Sequence, residues 1–229
     1  MYSYRDVTVS GEGDRSGVSI VARSLLWMML GLLMTLLASL AVLATLPVWM
    51  GFYSSGWGPM VLLIAELALV WYLSARLRSG AMAPAEGKAL FLLYAASLGI
   101  VLVPAVAAAP GAVLPAMAET AGMFGAAGLW GYLTHADMRP LRTALFMGLI
   151  GLLIVIVVNS LFLHGALALW ISIGGVLLFS GLTAYDIQRI RRMGSTAGDG
   201  AAILGALALY LDFINMFLFV LRLGTMRRR

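Results

Sequence analysis

The sequence predicts an all-α integral membrane protein with seven crossings. Three observations carry this reading. Of 229 residues, 62% are hydrophobic and 11% charged, where a soluble domain carries roughly a quarter charged residues. A soluble globule of this length has too little polar surface to cover so much apolar side chain. Seven apolar runs each approach the roughly 20 residues that a helix needs to cross about 30 Å of hydrocarbon. The runs are rich in Leu, Ala and Gly and do not alternate, which argues against a β-barrel. The chain has no Cys, which excludes a secreted disulfide scaffold.

The first run spans residues 25–46 and stops before Pro47. The second covers 59–77 and the third 89–109, where Pro110-Gly111 breaks the chain. The fourth covers 113–133 and the fifth 141–163. The sixth follows His164-Gly165 and reaches Ile187, and the last covers 201–223. The first run is too long for a signal-peptide core and is read as a retained helix. Residues 1–23 are polar and read as a tail, 24–223 as one seven-helix transmembrane domain, and 224–229 as a second, basic tail.

Lys and Arg set the orientation. Arg5, Arg15 and Arg23 precede the first run. Arg76, Arg78 and Lys88 follow the second, Arg139 and Arg142 the fourth, and Arg189, Arg191 and Arg192 the sixth. The loops after the first, third and fifth runs carry none. The basic side is the expected cytoplasmic side, with the N-terminus on it. Arg222, Arg227, Arg228 and Arg229 fall on the other side if all seven runs cross. This asymmetry accounts for the net charge of +5, so no nucleic-acid partner is expected.

Four acids lie inside apolar runs: Glu66, Glu119, Asp186 and Asp212. Ionisable groups at membrane depth face a protein interior or a wet cavity and are functional candidates. Asp186 stands near the basic end of the sixth run, and Asp212 lies about 11 residues into the last, so consecutive antiparallel helices bring the two toward each other. At 100° per residue, Gly205, Asn215 and Arg222 fall on the Asp212 side of that helix. An acid flanked by both an arginine and a second acid changes partner when it takes up a proton, and two such acids titrate as a pair. That is the physical content of a pH switch. Plainer readings stand beside this one. Asp186 anchors a helix end next to Arg189 and Arg192, Asp212 is a structural hydrogen-bonding group, Glu66 is a packing link, and Glu119 reaches the headgroups. Gly122, Gly125, Gly128 and Gly131 read as close helix packing. His135 and His164 have no metal-ligand spacing, and the 14 Met read as packing filler. An intramembrane aspartyl protease also pairs two Asp on consecutive helices. Here the bulky Leu209, Tyr210 and Leu211 precede Asp212 where that chemistry uses Gly-x-Gly, so no catalytic residue is expected.

The stretches FSGLTAYDIQRI (179–190) and ALYLDFINMFLFVLRL (208–223) resemble the Bax inhibitor-1 family, also called the transmembrane Bax inhibitor motif family, and its bacterial branch most closely. IAELALVWYLSARLR around Glu66 and ETAGMFGAAGLWGYLTHADM (119–138) extend the likeness over nearly the whole chain after residue 20. The resemblance implies six helices around a central C-terminal seventh, and a pH-sensitive calcium leak across the bacterial inner membrane. It implies that Asp186 and Asp212 form the proton sensor and gate, and that Arg76 or Arg78 latches Asp186 in the closed state. Glu66 and Asn215 are then expected on the ion path. Asp186, Asp212 and Glu66 are expected calcium ligands, since a hard divalent cation prefers carboxylate oxygens. Calcium is the transported ion, no resident cofactor is expected, and the partners are the lipid bilayer and cations. Some bacterial members instead resemble modulators of a membrane-bound quality-control protease, which makes such a protease the alternative partner.

Overall fold

The computed structural model describes residues 4–162, 166–194 and 198–227, with side chains from residue 20 onward. The regular structure of the described residues is all helical: α1 (Tyr4–Ala44), α2 (Leu46–Ser54), α3 (Trp57–Arg78), α4 (Pro84–Ala108), α5 (Pro110–Leu133), α6 (Leu141–Leu161), α7 (Ala168–Met193) and α8 (Asp199–Arg227). Seven helices are long and apolar enough to cross a membrane: Ile20–Ala44 of α1, and each of α3 to α8. These match the seven runs. His164, Arg228 and Arg229 lie outside the described residues, as do the side chains of Arg5 and Arg15.

The differences lie at the ends. The segment after Pro47 forms α2, nine residues with none buried. Proline read as a break stands in the first turn of this helix, as Pro110 does in α5. The missing proline N–H has no intrahelical partner in a first turn, so proline starts a helix there rather than stopping one. α7 runs six residues past the expected end at Ile187, to Met193. Hydropathy marks where a helix leaves the apolar layer, whereas Arg189, Arg191 and Arg192 are good helix formers that suit a C-terminal turn. Gly194, at φ 65°, ends it. The polar stretch read as a tail belongs in large part to α1, whose described backbone begins at Tyr4.

By packing, the chain falls into two compact units, Met1–Ala108 with Met193–Tyr210, and Ala109–Arg192 with Leu211–Arg229. In the first, α4 packs chiefly on α1 and also on α3. Gly99 permits the close approach: a Cβ there would stand 2.5 Å from the Thr35 carbonyl oxygen and 2.9 Å from Ala38 Cβ. Hydroxyls tie the same seam. Ser39 donates to Gly99 O at 2.8 Å, and Thr35 Oγ1 lies 2.9 Å from Ala95 O and 2.6 Å from the Tyr210 hydroxyl. At one end, Asp199 holds both Arg23 (3.0 Å) and Lys88 (2.8 Å), and Ser24 donates to Ala202 O.

In the second unit α7 buries a stripe through Ile171, Gly175, Phe179, Thr183, Asp186 and Ile190, at the three-and-four spacing of one helix face. Gly131 of α5 rests against it, where a Cβ would meet Ala184 Cα at 2.6 Å. Gly128 makes ordinary contact, 3.7 Å from Ile187. Gly122 and Gly125 have nothing within 4 Å, so only part of the glycine series serves close packing. Among the seven spans α8 is the most buried, 67% of its apolar window against 33% or less elsewhere.

Gly99→Ala and Gly131→Ala each force backbone apart and should lower unfolding stability in detergent by about 1–3 kcal/mol. Gly122→Ala should be neutral or slightly stabilising, because alanine is the better helix former. Equal unfolding midpoints for Gly131→Ala and Gly122→Ala would refute the close approach.

Candidate functional site

In the second unit Asp186 on α7 and Asp212 on α8 are both buried, at 8% and 5% exposure. Their charges act on each other, and Arg189 is the cation whose field also reaches Asp212. Asp186 Oδ1 lies 3.0 Å from Arg189 Nη1, one turn along the same helix. Asp212 Oδ2 is buried and makes no hydrogen bond. Asn215, expected beside Asp212, turns its amide back to Leu211 O at 2.8 Å and leaves its carbonyl oxygen uncommitted by that bond.

Beyond the pair, α7 grips the loop that follows α5. Buried Gln188 accepts from Met138 N–H (3.1 Å) and donates to Ala136 O (2.8 Å). Arg191 lies over the Tyr132 ring, 5.3 Å from its centroid, and donates to Tyr132 O. Arg192 pairs with Asp137 at 2.7 Å. Three polar residues near the α7 terminus, Gln188, Arg191 and Arg192, thus bind backbone and carboxylate groups of the end of α5 and the loop after it. Sequence reading assigned none of these contacts, although Gln188 directly follows the apolar run.

In the first unit α3 buries only Glu66, Leu73 and Leu77, and one of these three is an acid. Their spacing of seven and four puts them on one face. Ser97 lies near Glu66 but donates its hydroxyl to Tyr94 O at 2.9 Å, and the Glu66 charge acts on Tyr94 and Tyr210. Glu66 Oε1 is buried without a hydrogen bond. The Tyr94 and Tyr210 rings meet edge to face at 6.0 Å, and Tyr210 continues the polar line to Thr35. This hydroxyl cluster was not foreseen. Its signal is Tyr94 and Ser97, one turn apart in an otherwise apolar run.

Of the two expected latch residues, Arg78 is exposed, whereas Arg76 is half-buried and its Nε is buried without a hydrogen bond. Glu119 is exposed. Among the described residues no group of three or more His, Cys, Asp or Glu forms a metal site.

Replacing Gln188 by Leu leaves the buried Met138 N–H unpaired, and should cost about 1–3 kcal/mol, with faster hydrogen exchange at Met138. Asp137 lies in the loop, outside the spans. The Arg139 amide first, and then Arg192, hold its carboxyl below the ordinary value of 3.8. Its contribution is therefore present above 3.8 and is lost as pH falls below that value and the carboxyl takes up a proton. Protection of the Arg139 amide, corrected for intrinsic exchange, should follow that profile, and in Asp137→Asn it should not.

Comparison with known proteins places these residues in a family. The model described as "Inhibitor of apoptosis-promoting Bax1" matches residues 18–229. The chain is 36% identical to the inner membrane protein YbhL of Escherichia coli over 210 residues, covering 88% of this chain and 89% of YbhL. It is 40% identical to an uncharacterized protein of Deinococcus radiodurans over 172 residues, 72% of this chain and 74% of that one. A protein of Borreliella burgdorferi is 36% identical over 183 residues, 77% and 78% of the two chains. With the seven spans and the stretches around Asp186 and Asp212, the match over nearly the full length shows that the chain belongs to the Bax inhibitor-1 family.

Proposed function

We propose that the protein is a pH-regulated cation leak pathway of a bacterial inner membrane, with calcium as the ion carried. The observation that carries this reading is the pair Asp186 and Asp212, two buried acids on different helices whose charges act on each other. When both are ionised they repel in a medium that screens poorly. One proton shared between them removes that repulsion. The pair therefore couples proton uptake to the fit of α7 against α8 and serves as sensor and gate.

Glu66 and Asn215 are the pathway groups in this reading. The buried Glu66 carboxylate and the half-buried Asn215 amide oxygen, together with the tyrosine and serine hydroxyls near Glu66, suit a hard cation. Of the two latch candidates, Arg76 is taken as the latch in this reading, being half-buried where Arg78 is exposed. The heavy burial of α8 supports a central place for it, and the name of the Escherichia coli relative supports the inner membrane. An N-terminus on the cytoplasmic side follows from the basic residues before and between the spans. No catalytic role is assigned.

Calcium flux into proteoliposomes, measured between pH 5 and 8, tests the reading. Wild-type flux should depend on pH. Asp186→Asn and Asp212→Asn should flatten that dependence, Arg76→Gln should raise the resting leak, and Arg78→Gln should leave it unchanged. Flux and pH profile unaltered by both Asp substitutions would sink the proposal. Absence of flux, with co-purification of a membrane-bound protease, would favour the restraint of that protease instead.

A further inference from the structure

The contacts of α7 with α5 and with α8 lie on opposite sides of the helix. On one side, Gly131 of α5 rests against the Ala184 backbone, Gln188 bonds to Met138 N–H and Ala136 O, and Arg191 donates to Tyr132 O. Ala184, Gln188 and Arg191 are spaced by four and three, so they form one stripe. At 100° per residue, Ala184 and Gln188 stand about 160° from Asp186, and Arg191 about 140°. On the other side, Phe179 meets the Phe219 ring of α8 with centroids 6.0 Å apart, and a Cβ on Gly175 would stand 2.5 Å from that ring. Phe179 and Gly175 lie within about 20° of Asp186 around α7, and Asp212 within about 20° of Phe219 around α8. The two helices are consecutive spans and run antiparallel. From the ring contact, seven residues onward along α7 and seven back along α8 lead to Asp186 and Asp212. The action of the two charges on each other agrees with that register.

The stripe facing α5 therefore fixes the turn of α7 about its own axis. Gln188 uses both halves of its amide, acceptor and donor, on two backbone groups of the loop, which resists turning and sliding together. A turn of about 20° at a side-chain radius of about 5 Å moves a carboxylate by about 2 Å. That is a large step for two charges that interact as the inverse of their separation. Few other charges surround the pair. Arg189 is on α7 itself. α5 faces this level with Gly128 and Gly131, and its acid Glu119 lies about 13 Å back along the helix from Gly128. Arg142 at the start of α6 is exposed, as are His135, Asp137 and Arg139 in the loop.

We propose that Gln188 is a positioning residue of the proton sensor. Its two hydrogen bonds to the loop after α5 hold Asp186 at the rotation that faces Asp212, and so set the pH at which the pair changes state in the leak proposed above, on which this role rests. Without those bonds α7 can turn, and two ionised acids can relieve their repulsion by turning apart. Repulsion relieved by movement no longer needs a proton, so the change of state moves to lower pH.

Gln188→Met keeps the length of the side chain and removes both bonds. In proteoliposomes of the full chain, the pH midpoint of calcium flux should fall in this variant by about half a unit or more. Gln188→Asn keeps both groups on a shorter arm and should fall between Gln188→Met and wild type. Ser180→Ala loses a hydrogen bond made within α7 alone and should leave the midpoint in place. A second reading does not depend on flux. The chain has no Cys, so spin labels at Leu133→Cys and Leu169→Cys, both exposed and about 25 Å apart by helix rise, report the hold of α5 on α7. At the alkaline end the distance distribution should be narrow with Gln188 in place and broader in Gln188→Met. If Gln188→Met fails to fold, Gln188→Asn decides by the same two readings. Wild-type flux without pH dependence overturns the leak, and the label distances then decide the hold on α7 alone. A pH-dependent flux whose midpoint is unmoved in Gln188→Met, or equal label distributions, would overturn the positioning role.

Discussion

Hydrocarbon offers no water to a carboxylate, and the arrangement of this protein follows from that constraint. An ionised acid in an apolar interior must find donors, a counter-ion or a proton. The three buried acids meet the requirement differently. Asp186 has Arg189 one turn along its own helix. Glu66 lies beside Ser97 and two tyrosines, a polar pocket in an apolar unit. Asp212 has a buried oxygen without a hydrogen bond and feels another acid. The least satisfied of the three sits on the most buried helix, where solvation by lipid headgroups is least available.

The same constraint explains how the helices associate. Lipid tails are as apolar as leucine, so burying leucine between helices gains little, and close contact at small residues matters more. The exposed leucines, valines and phenylalanines of α1, α3 and α6 are the lipid-facing surface of such a chain. Gly99, Gly131 and Gly175 lie where side chains or backbone from another helix leave no room for a Cβ. In the second unit Thr120, Ser172, Ser180 and Thr183 all bond four residues back within their own helices, whereas in the first Ser24, Thr35 and Ser39 bond across helices. Hydroxyls spent within their own helix leave two neighbouring helices free to change their fit without breaking those bonds.

Much of this was legible in the sequence. The seven spans follow from run length, and Glu66, Asp186 and Asp212 stand out because apolar runs make any acid conspicuous. The ends were less legible, because hydropathy reports the apolar layer and not the helix. Thus α7 continues through three arginines, and two prolines begin helices. The partners were least legible of all. Arg189 follows Asp186 by three positions, and this local pair was the plainer of the readings open for that residue. Tyr94, Ser97, Thr35 and Tyr210 carry ordinary residue types for a membrane helix, and only packing of α1, α4 and the first half of α8 shows that they form one cluster. Of the four spaced glycines on α5, spacing alone did not reveal which one meets a neighbour's backbone.

The Asp186–Arg189 pair limits what the site can sense. Both residues belong to α7, so helix geometry sets their separation and the pair endures when α7 shifts as a body. A contact of that kind cannot report movement between helices. In the proposed gate it holds Arg189 beside Asp186 while the interaction with Asp212 varies with the placing of α7 and α8. Arg76, with a buried Nε that makes no hydrogen bond, retains bonding capacity that Arg189 has already used. In the proposed gate the local pair fixes the charge of one partner, and the proton on the pair decides whether the two acids attract or repel.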